Sequence, residues 1–424
     1  MIEIRRDTFW AIPFAYSLLM YVLATIALLV FLYGFYRRFR LWRSGRKVNI
    51  QWADVKANAS YFVDMAIKQQ KIKRDRLYGF MHRFTSYGFV ILFIGTCLVV
   101  VDYDLGIPIL QGSFYLVYEA VLDVFGVLFL IGLFIAMIVR ARRTRNRLKH
   151  GWADQLFLWL FAAIGIGGYL LEGIRIAETG ISYGHWSIVG YGVSKLLQGV
   201  PAFGVAWYPV WWISHAILAF GLIAVIPYTK LFHMLLAPIN LLFQPVKRTG
   251  KISLPYNLEE LTEEKRFTVA GVQGVKHISD FTSWQLLSTD ACTECGRCDS
   301  LCPANLSGKP LAPRSIVTKI RDYMVPDRKI TSFITPEELQ SCTTCGACVE
   351  ACPVSINHID LILSMRRGLI QERIIEQEAE HALMKLDEQY NVWGKAWSER
   401  DQWSRGLDIP LLENDKGNDD KKGA

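Results

Sequence analysis

The sequence lacks the short motifs with which many enzymes bind nucleotides or activate a nucleophile. It contains no Rossmann glycine fingerprint, no phosphate-binding loop and no nucleophile elbow. Their absence argues against a flavin or nicotinamide site in this chain. Cysteine is scarce outside one segment, because only Cys97 precedes Cys292 and none follows Cys352. We expect Cys97 to be a packed membrane cysteine, so the thiol chemistry is confined to residues 292–352.

Acidic residues are outnumbered, with 39 Asp and Glu against 47 Lys and Arg, and the formal net charge is +8. At the same time 52% of the residues are hydrophobic, and the mean hydropathy is +0.21. This combination is typical of a membrane protein with basic cytoplasmic loops. We therefore expect membrane lipid as a partner and no nucleic acid.

Five apolar stretches are each long enough to cross the hydrocarbon core of a membrane, which takes roughly 20 helical residues. They run approximately over Ile12 to Tyr36, Leu77 to Val101, Tyr115 to Val139, Gln155 to Arg175, and Trp207 to Leu236. The first is too long for a signal-peptide core and lacks a small-residue cleavage site, so we expect it to be retained. The sequence therefore predicts a multi-pass membrane protein.

Basic residues mark the ends of the stretches that are expected to face the cytoplasm. They are Arg37, Arg38, Arg40, Arg43, Arg46 and Lys47 after the first stretch, and Arg140, Arg142, Arg143, Arg145, Arg147 and Lys149 after the third. The loop between the second and third stretches carries Asp102 and Asp104 and no basic residue. By the positive-inside rule, the N-terminus is outside and the chain after Leu236 lies in the cytoplasm. We therefore expect a protein of the inner (cytoplasmic) membrane.

Eight of the nine cysteines form two copies of one spacing. The copies are Cys292, Cys295, Cys298 and Cys302 followed by Pro303, and Cys342, Cys345, Cys348 and Cys352 followed by Pro353. Both read C-x2-C-x2-C-x3-C-P, which holds a [4Fe–4S] cluster in bacterial-type ferredoxins. The alternatives are structural zinc and disulfides. Structural zinc sites usually contain pairs of cysteines rather than four at this spacing, and disulfides need an oxidising compartment. The sequence therefore predicts two [4Fe–4S] clusters in an electron-relay domain.

The fourth cysteine of each copy is predicted to serve the other cluster, because it leaves on the following helix and closes the same cube poorly. One cluster is then assigned to Cys292, Cys295, Cys298 and Cys352, and the other to Cys342, Cys345, Cys348 and Cys302. Gly296 and Gly346 suit a backbone that passes close to inorganic sulfide.

Three histidines lie in or beside the apolar stretches, namely His82, His215 and His233. An intramembrane histidine is costly without a partner, and haem b is a common reason for histidine pairs in electron-transfer membrane proteins. His82 and His233 share the inner side, although interhelical hydrogen bonding or an interfacial position remains an alternative for this pair. His215 and His233 are 18 residues apart, so one continuous helix would place them on one face, roughly 27 Å apart.

The fifth stretch, from Trp211-Trp-Ile-Ser-His215 to Lys230-Leu-Phe-His233, resembles the last helix of the gamma subunit of respiratory nitrate reductases. The membrane subunits of heterodisulfide reductases share the pattern. Both are five-helix cytochromes b that exchange electrons with quinone. The resemblance implies that His82 and His233 are the axial ligands of an inner haem b and that His215 is one ligand of an outer haem.

The chain departs from that family at the second ligand of the outer haem. The family has a histidine ten residues after the first one on the second helix, and this chain has Leu92 there. Either the outer haem is missing, or His185 in the outer loop or another ligand replaces the histidine. One haem is therefore expected, and a second is left open.

The stretch from Trp284 to Pro313 resembles the ferredoxin module of heterodisulfide-reductase-related iron–sulfur oxidoreductases, as do Asn391-Val-Trp393-Gly394 and Trp403. That family includes electron-transfer-flavoprotein:menaquinone oxidoreductases, and the resemblance covers most of residues 1–410. Longer relatives continue into cysteine-rich CCG domains that this chain lacks. The resemblance therefore implies a separate CCG-domain iron–sulfur subunit, an electron-transfer flavoprotein, or both as partners.

The expected fold is mainly α, with a five-helix transmembrane bundle followed by a cytoplasmic α-helical ferredoxin-type domain. Residues 1–236 form the bundle, 237–285 a linker, 286–410 the two-cluster domain and 411–424 a disordered tail. Residues 48–76 are predicted to form either an amphipathic helix on the inner membrane surface or a solvated connector.

A quinone site is expected at the outer end of the fourth stretch. Glu172 and Arg175 lie at this membrane boundary, and His185 follows in the outer loop. Such a set can donate hydrogen bonds to quinone carbonyls and move protons, although an i,i+3 ion pair that closes a helix end is equally compatible.

The function expected from these observations is an electron-transfer subunit, active within a complex, that passes electrons between a cytoplasmic redox partner and menaquinone. Two alternatives stay open. The chain could oxidise quinol and feed a heterodisulfide or sulfur-compound reductase, or it could be a membrane anchor whose ferredoxin domain alone is redox-active.

Overall fold

The computed structural model describes residues 4–142, 151–245, 274–374, 377–396, 399, 402–404 and 406–407. Residues 1–368 form one compact unit, and residues 369–424 form a second. The predicted tail over 411–424 lies outside the described residues, and so do residues 246–273 of the predicted linker.

The described part of the first unit is helical. Its N-terminal part contains α1 (Phe14–Arg43), α2 (Trp52–Phe62), a π-helical turn (Val63–Ile67), α3 (Gln70–Lys73), α4 (Arg76–Tyr103), α5 (Gly112–Ala141), α6 (Trp152–Thr179), α7 (Ile188–Leu197), α8 (Tyr208–Val225) and α9 (His233–Phe243). Then follow α10 (Ser283–Asp290), α11 (Arg297–Leu301), α12 (Pro303–Leu306), α13 (Pro313–Asp322), α14 (Pro336–Gln340), α15 (Ala347–Ala351) and α16 (His358–Gln371).

Five helices of the described residues are long and apolar enough to cross a membrane. They are α1, α4, α5, α6 and the helical segment Tyr208–Tyr228. Strand pairing within the described residues is limited to isolated bridges. The predicted fold class, a mainly α chain with a five-helix bundle before a helical iron–sulfur region, is therefore confirmed.

The fifth predicted stretch is broken into several helical pieces. After α8 come 3₁₀ turns over Ile226–Tyr228 and Lys230–Phe232, and then α9. Pro227 has no N–H to donate, and its ring clashes with the preceding turn. The side chain of Thr229 then accepts a hydrogen bond from the Leu231 N–H and starts the next turn. The expectation that His215 and His233 share one face of a continuous helix is therefore wrong.

Small residues bring α4 and α5 together. A Cβ atom on Gly88 would lie 2.6 Å from Cβ of Phe129, and one on Gly132 would lie 2.7 Å from the backbone nitrogen of Thr85. Membrane helices that pack through glycine approach closely enough for extensive van der Waals contact. The pair α4–α5 is therefore a close backbone contact rather than one mediated by large side chains.

An apolar core lies among α5, α6 and α8. It consists of Phe129, Leu133, Phe161, Ala162 and Leu222, with Leu92 of α4 packed against it. In contrast, α1 exposes large apolar side chains such as Leu18, Leu29 and Tyr33. Exposed apolar surface of this extent is typical of a lipid-facing helix.

Asp290 at the end of α10 connects the iron–sulfur part of the first unit to α1. Its carboxylate is nearly buried and accepts hydrogen bonds from Arg38 Nε at 2.9 Å and from Trp42 Nε1 at 2.6 Å. A second Arg38 nitrogen completes a bidentate pair. Removal of one partner from a buried pair typically costs about 3–5 kcal/mol. This contact therefore makes a substantial contribution to the arrangement of the two parts.

The segment 48–76 contains buried polar residues, which neither sequence-based expectation included. Asn58 donates hydrogen bonds to the carbonyl oxygens of Leu242 and Gln244 at 3.2 and 2.6 Å. The Tyr61 hydroxyl lies 2.6 Å from Oγ of Ser355. The segment therefore contacts both α9 and the iron–sulfur region.

The second unit contains one longer helix in its described part, α17 (Gln377–Gln389). A turn follows it, in which the Asn391 side chain donates to the carbonyl oxygens of Gln389 and Lys395 at 2.8 and 2.7 Å. This turn contains part of the Asn391 to Gly394 sequence that the resemblance singled out.

The glycine contact between α4 and α5 can be tested with two matched substitutions. We expect Gly132→Ala to lower the free energy of unfolding by about 1–3 kcal/mol, because the new methyl group meets α4 backbone. Gly221→Ala on α8 is the control, since no described atom beyond the neighbouring backbone of its own helix lies within 4 Å of its Cβ position. Both changes raise helix propensity by the same amount. The difference between their free energies of unfolding, measured on the full chain in detergent, therefore reports packing alone. Equal stability of the two variants would rule out the close contact.

Candidate functional site

The two cysteine loops adopt the same backbone conformation. Glu294 and Thr344, which precede the second cysteine of each loop, both have φ of +56°. Gly296 and Gly346, which follow that cysteine, have φ of +69° and +83° and precede α11 and α15. Left-handed residues alternating with right-handed ones point successive N–H groups into a concavity that suits anionic iron–sulfur groups. The sequence repeat is therefore a structural repeat.

The eight cysteines sort into two groups by the interactions among their thiols. Electrostatic interactions join Cys292, Cys295, Cys298 and Cys352, the first cysteine group. Others join Cys348 to Cys342, Cys345 and Cys302, the second cysteine group. In each group the fourth cysteine comes from the other loop, which is the grouping that the interleaved ligand sets would need.

The cysteine thiols are unpaired and stand apart from one another. All nine cysteines are free, and no three His, Cys, Asp or Glu side chains of the described residues converge on a single metal ion.

Burial makes these thiols hard to ionise. It raises the pKa of Cys292 and of Cys348 to about 12 and that of Cys352 to about 11. The thiolate is the form that binds metal, and a bound metal ion deprotonates a coordinating thiol outright. The donor set therefore fits an iron-containing group that supplies the compensating positive charge.

The second group is the more open of the two. Its four cysteines line a cavity together with apolar residues that include Leu311, Ile359 and Ile362. Cys345 is exposed, whereas Cys352 of the first group is buried and accepts a hydrogen bond from the Ile356 N–H at 3.3 Å. The second group therefore includes the most exposed thiol of the eight.

His82 and His233 lie close enough to interact electrostatically, and Arg297 of α11 interacts with His82 in the same way. The Nδ1 atom of His233 lies 2.6 Å from the carbonyl oxygen of Lys230, and that of His82 lies 3.0 Å from Oε1 of Gln69. Within the described residues neither Nε2 atom makes a hydrogen bond. An imidazole that carries its proton on Nδ1 has a free lone pair on Nε2, and this nitrogen can bind a metal ion. This donor set fits the haem iron.

Two lysines join the first cysteine group to the segments that carry the histidine pair. Lys230, whose carbonyl bonds His233, places its ammonium 3.4 Å from Glu294 in the first cysteine loop. Lys71 of α3 donates to the carbonyl oxygen of Cys352 at 3.3 Å. The first cysteine group therefore lies beside the histidine pair.

Glu294 carries a stable negative charge within this contact. Burial alone would raise its pKa, but a hydrogen bond from Arg321 and the charge of Lys230 outweigh burial and lower the pKa below its ordinary value. The Arg321 bond measures 2.9 Å. The ion pair with Lys230 is therefore maintained at neutral pH.

The outer histidine, His215, has no second histidine beside it among the residues that the structure describes. Its Nδ1 is buried and makes no hydrogen bond within the described residues. It faces Gly167 of α6, where a Cβ atom would lie 3.1 Å from that nitrogen. Leu92, at the position of the missing family ligand, packs against the apolar core. The structure thus leaves His215 as a single candidate ligand on this side.

The predicted quinone residues are only partly brought together. Arg175 is buried and lies 2.8 Å from Oε1 of Glu172, so the i,i+3 pair is formed. His185 is exposed, and its Nδ1 lies 3.0 Å from the carbonyl oxygen of Ser182. No described hydrogen bond or ion pair joins His185 to Glu172 or Arg175.

Sequence reasoning missed a third charged residue in this outer cluster. Glu119 of α5 is 5% exposed, and its Oε1 lies 2.7 Å from the Arg175 guanidinium. Its Oε2 is buried without a hydrogen-bond partner in the described residues. A carboxylate in an apolar stretch is a functional candidate by default, so the sequence contained a usable signal. No comparable signal marks Gln69, Lys71 or Glu294.

Two family descriptions match this chain. Residues 103–249 match the nitrate reductase gamma subunit, and residues 291–356 match the 4Fe–4S dicluster domain. The first match includes His215 and His233 but begins after His82. The chain thus combines a nitrate reductase gamma-like membrane domain with an iron–sulfur dicluster domain, which is the composition of a membrane electron-transfer protein.

Two relatives match most of this chain. The chain is 30% identical over 440 residues to the EtfAB:quinone oxidoreductase of Syntrophomonas wolfei, with 92% of this chain and 59% of that protein covered. It is 29% identical to a probable membrane-anchored ferredoxin of Chromohalobacter salexigens, with 93% and 59% covered. The chain therefore spans about three-fifths of these two relatives.

A third relative is matched over most of its own length. It is one component of the dihydromethanophenazine:CoB–CoM heterodisulfide reductase of Methanosarcina mazei, 25% identical over 253 residues, with 52% of this chain and 90% of that protein covered. No solved structure has significant similarity to this chain. The predicted resemblance to nitrate reductase gamma and heterodisulfide reductase proteins is confirmed.

Proposed function

We propose that this chain is a membrane-bound subunit that relays electrons between a cytoplasmic redox partner and menaquinone, using two [4Fe–4S] clusters and haem b. The observation that carries the proposal is the contact of the first cysteine group with the histidine pair. Lys230 contributes to both sides of that contact, through its carbonyl to His233 and through its ammonium to Glu294. Such a contact supports electron exchange between the two cofactor sites.

The ligand sets follow the two cysteine groups and the histidine pair. The first group would hold the cluster beside the haem, and the second group the cluster nearer the surface. The clusters and the haem supply reversible one-electron chemistry when bound. The chain's own residues orient the ligands, exclude water and donate hydrogen bonds to sulfur, as the Ile356 N–H does to Cys352.

The haem assignment predicts that His82→Ala and His233→Ala each remove the low-spin bis-histidine signal of the inner haem b from the spectrum of the purified chain. Each change removes one of the two axial ligands of that haem. His381→Ala in α17 is the control and should leave the spectrum intact. His215→Ala decides the second haem, because about half of the haem would be lost if His215 holds one. An unchanged spectrum in His82→Ala would remove the haem proposal.

The interleaved cluster assignment predicts a pairing among cysteine variants. Cys352→Ser should remove the same electron paramagnetic resonance signal as Cys295→Ser, and Cys302→Ser the same one as Cys345→Ser. Each variant should keep about half of the bound iron, because one of two clusters is lost. Cys97→Ser is the control. If Cys352→Ser instead removed the same signal as Cys345→Ser, the assignment of each fourth cysteine to the other cluster would be wrong.

The quinone site is proposed at the outer cluster of Glu172 and Arg175, with His185 as a further candidate. Two carboxylates, Glu119 and Glu172, share the Arg175 guanidinium. Such a set can donate a hydrogen bond to a carbonyl and exchange protons with it.

We expect Glu172→Gln to slow menaquinol-driven haem reduction by about 10²-fold or more, the usual contribution of a positioned proton-transfer group. The change keeps the size of the side chain, so the haem spectrum serves as the folding control. His185→Gln should have a smaller effect, because His185 is exposed and bonds its own loop. Equal rates in wild type and Glu172→Gln would place the quinone elsewhere.

The proposed partner and the proposed direction of electron flow rest on the names of the relatives. The name of the Syntrophomonas protein favours an electron-transfer flavoprotein as donor and quinone as acceptor, with a separate CCG-domain iron–sulfur subunit as the other candidate partner. The Methanosarcina protein favours the reverse direction, in which quinol feeds a heterodisulfide or sulfur-compound reductase. For both directions of electron flow, we propose a multi-pass protein of the inner membrane whose N-terminus lies outside. Rapid mixing of the chain with reduced electron-transfer flavoprotein distinguishes the two directions. Only the first direction requires the flavoprotein to reduce the clusters.

A further inference from the structure

Gln69 is a buried amide in an unusual backbone position beside His82. It is 4% exposed and has φ of +53°, a left-handed conformation that residues other than glycine adopt uncommonly. It follows the π-helical turn Val63–Ile67 and precedes α3. Strained residues and π-helical turns concentrate at functional sites. Gln69 thus has an unfavourable backbone conformation at the position where its side chain contacts His82.

The hydrogen bonds of Gln69 have a fixed polarity. The Gln69 amide nitrogen, which can only donate, lies 2.8 Å from Oγ of Ser86. That hydroxyl accepts this bond and directs its own hydrogen to the carbonyl oxygen of Arg83 at 3.4 Å. The amide oxygen consequently faces His82, whose Nδ1 lies 3.0 Å from it. His82 is therefore the donor in that bond, and its proton is on Nδ1.

We propose that Gln69 is a positioning residue that holds His82 in the Nδ1–H tautomer and directs its Nε2 toward the haem iron. The inference rests on the proposed haem ligation by His82. It assigns a role to a residue outside the matched family segments, which begin at residue 103. An acceptor on the far nitrogen fixes the ring orientation of a ligating histidine and increases its basicity.

The two proposed axial ligands are controlled in different ways. His233 is held by the carbonyl oxygen of Lys230, which no side-chain substitution removes. His82 is held by a side chain, so the strength of its acceptor depends on the residue at position 69. The inner haem is therefore tuned from the His82 side, and Gln69 sets its electron affinity.

Three variants test the inference on the full chain in detergent. Gln69→Leu removes the acceptor, and we expect about 10- to 100-fold weaker haem retention and a higher midpoint potential. Gln69→Glu supplies a stronger acceptor and should lower the potential, because a more electron-rich imidazole favours ferric iron. Ser86→Ala frees the amide to rotate and should weaken haem retention without any change at position 69. Gln111→Leu, an exposed amide that bonds the Pro108 carbonyl, is the control.

The opposite shifts of Gln69→Leu and Gln69→Glu separate positioning from folding. Shifts of the same sign in both variants, or potentials equal to that of Gln111→Leu, would overturn the role of Gln69. The failure of the proposed function is distinct, because the wild-type protein itself would then lack a bis-histidine haem b spectrum. Redox titration monitored by absorbance gives the potentials, and the position of the low-spin electron paramagnetic resonance signal reports the ring orientation.

Discussion

Lys230 takes part in the contacts on which the arrangement of the first unit depends. Its carbonyl oxygen orients His233, and its ammonium lies between Asp154 at the start of α6 and Glu294 in the first cysteine loop. One residue thus connects a membrane helix, a candidate haem ligand and a candidate cluster loop. The ion pairs are partly exposed and individually weak. Their importance lies in position, because they join groups that must stay close for electrons to pass.

The polar residues around this contact are interdependent. Asn58, Gln69 and Lys71 are all less than 9% exposed, and each has hydrogen-bond partners in the described residues. A buried polar group without a partner costs free energy, and a fully satisfied network instead specifies one arrangement. The segment between α1 and α4 therefore acts as a spacer of defined geometry between the membrane helices and the iron–sulfur loops.

Much of this organisation could be predicted from the sequence, for identifiable physical reasons. Apolar length determines membrane spans, and the cysteine spacing already predicts that Cys302 and Cys352 exchange loops. The break at Pro227 was missed, although a proline within an apolar stretch indicates a possible break or kink. Gln69 and Glu294 were not readable, since their roles arise from contacts with residues distant in sequence and from backbone conformations that no local pattern announces.

The break between α8 and α9 has a consequence for how the chain can vary. His215 and His233 belong to separate helices, so a change around the outer histidine is not transmitted along a rigid rod to the inner one. The inner site is held instead by Lys230, Gln69 and the iron–sulfur loops. Leu92, at the position expected for the second outer ligand, packs into the apolar core. The orientation of His233 therefore depends on the short turn that contains Lys230, and not on the position of α8 alone.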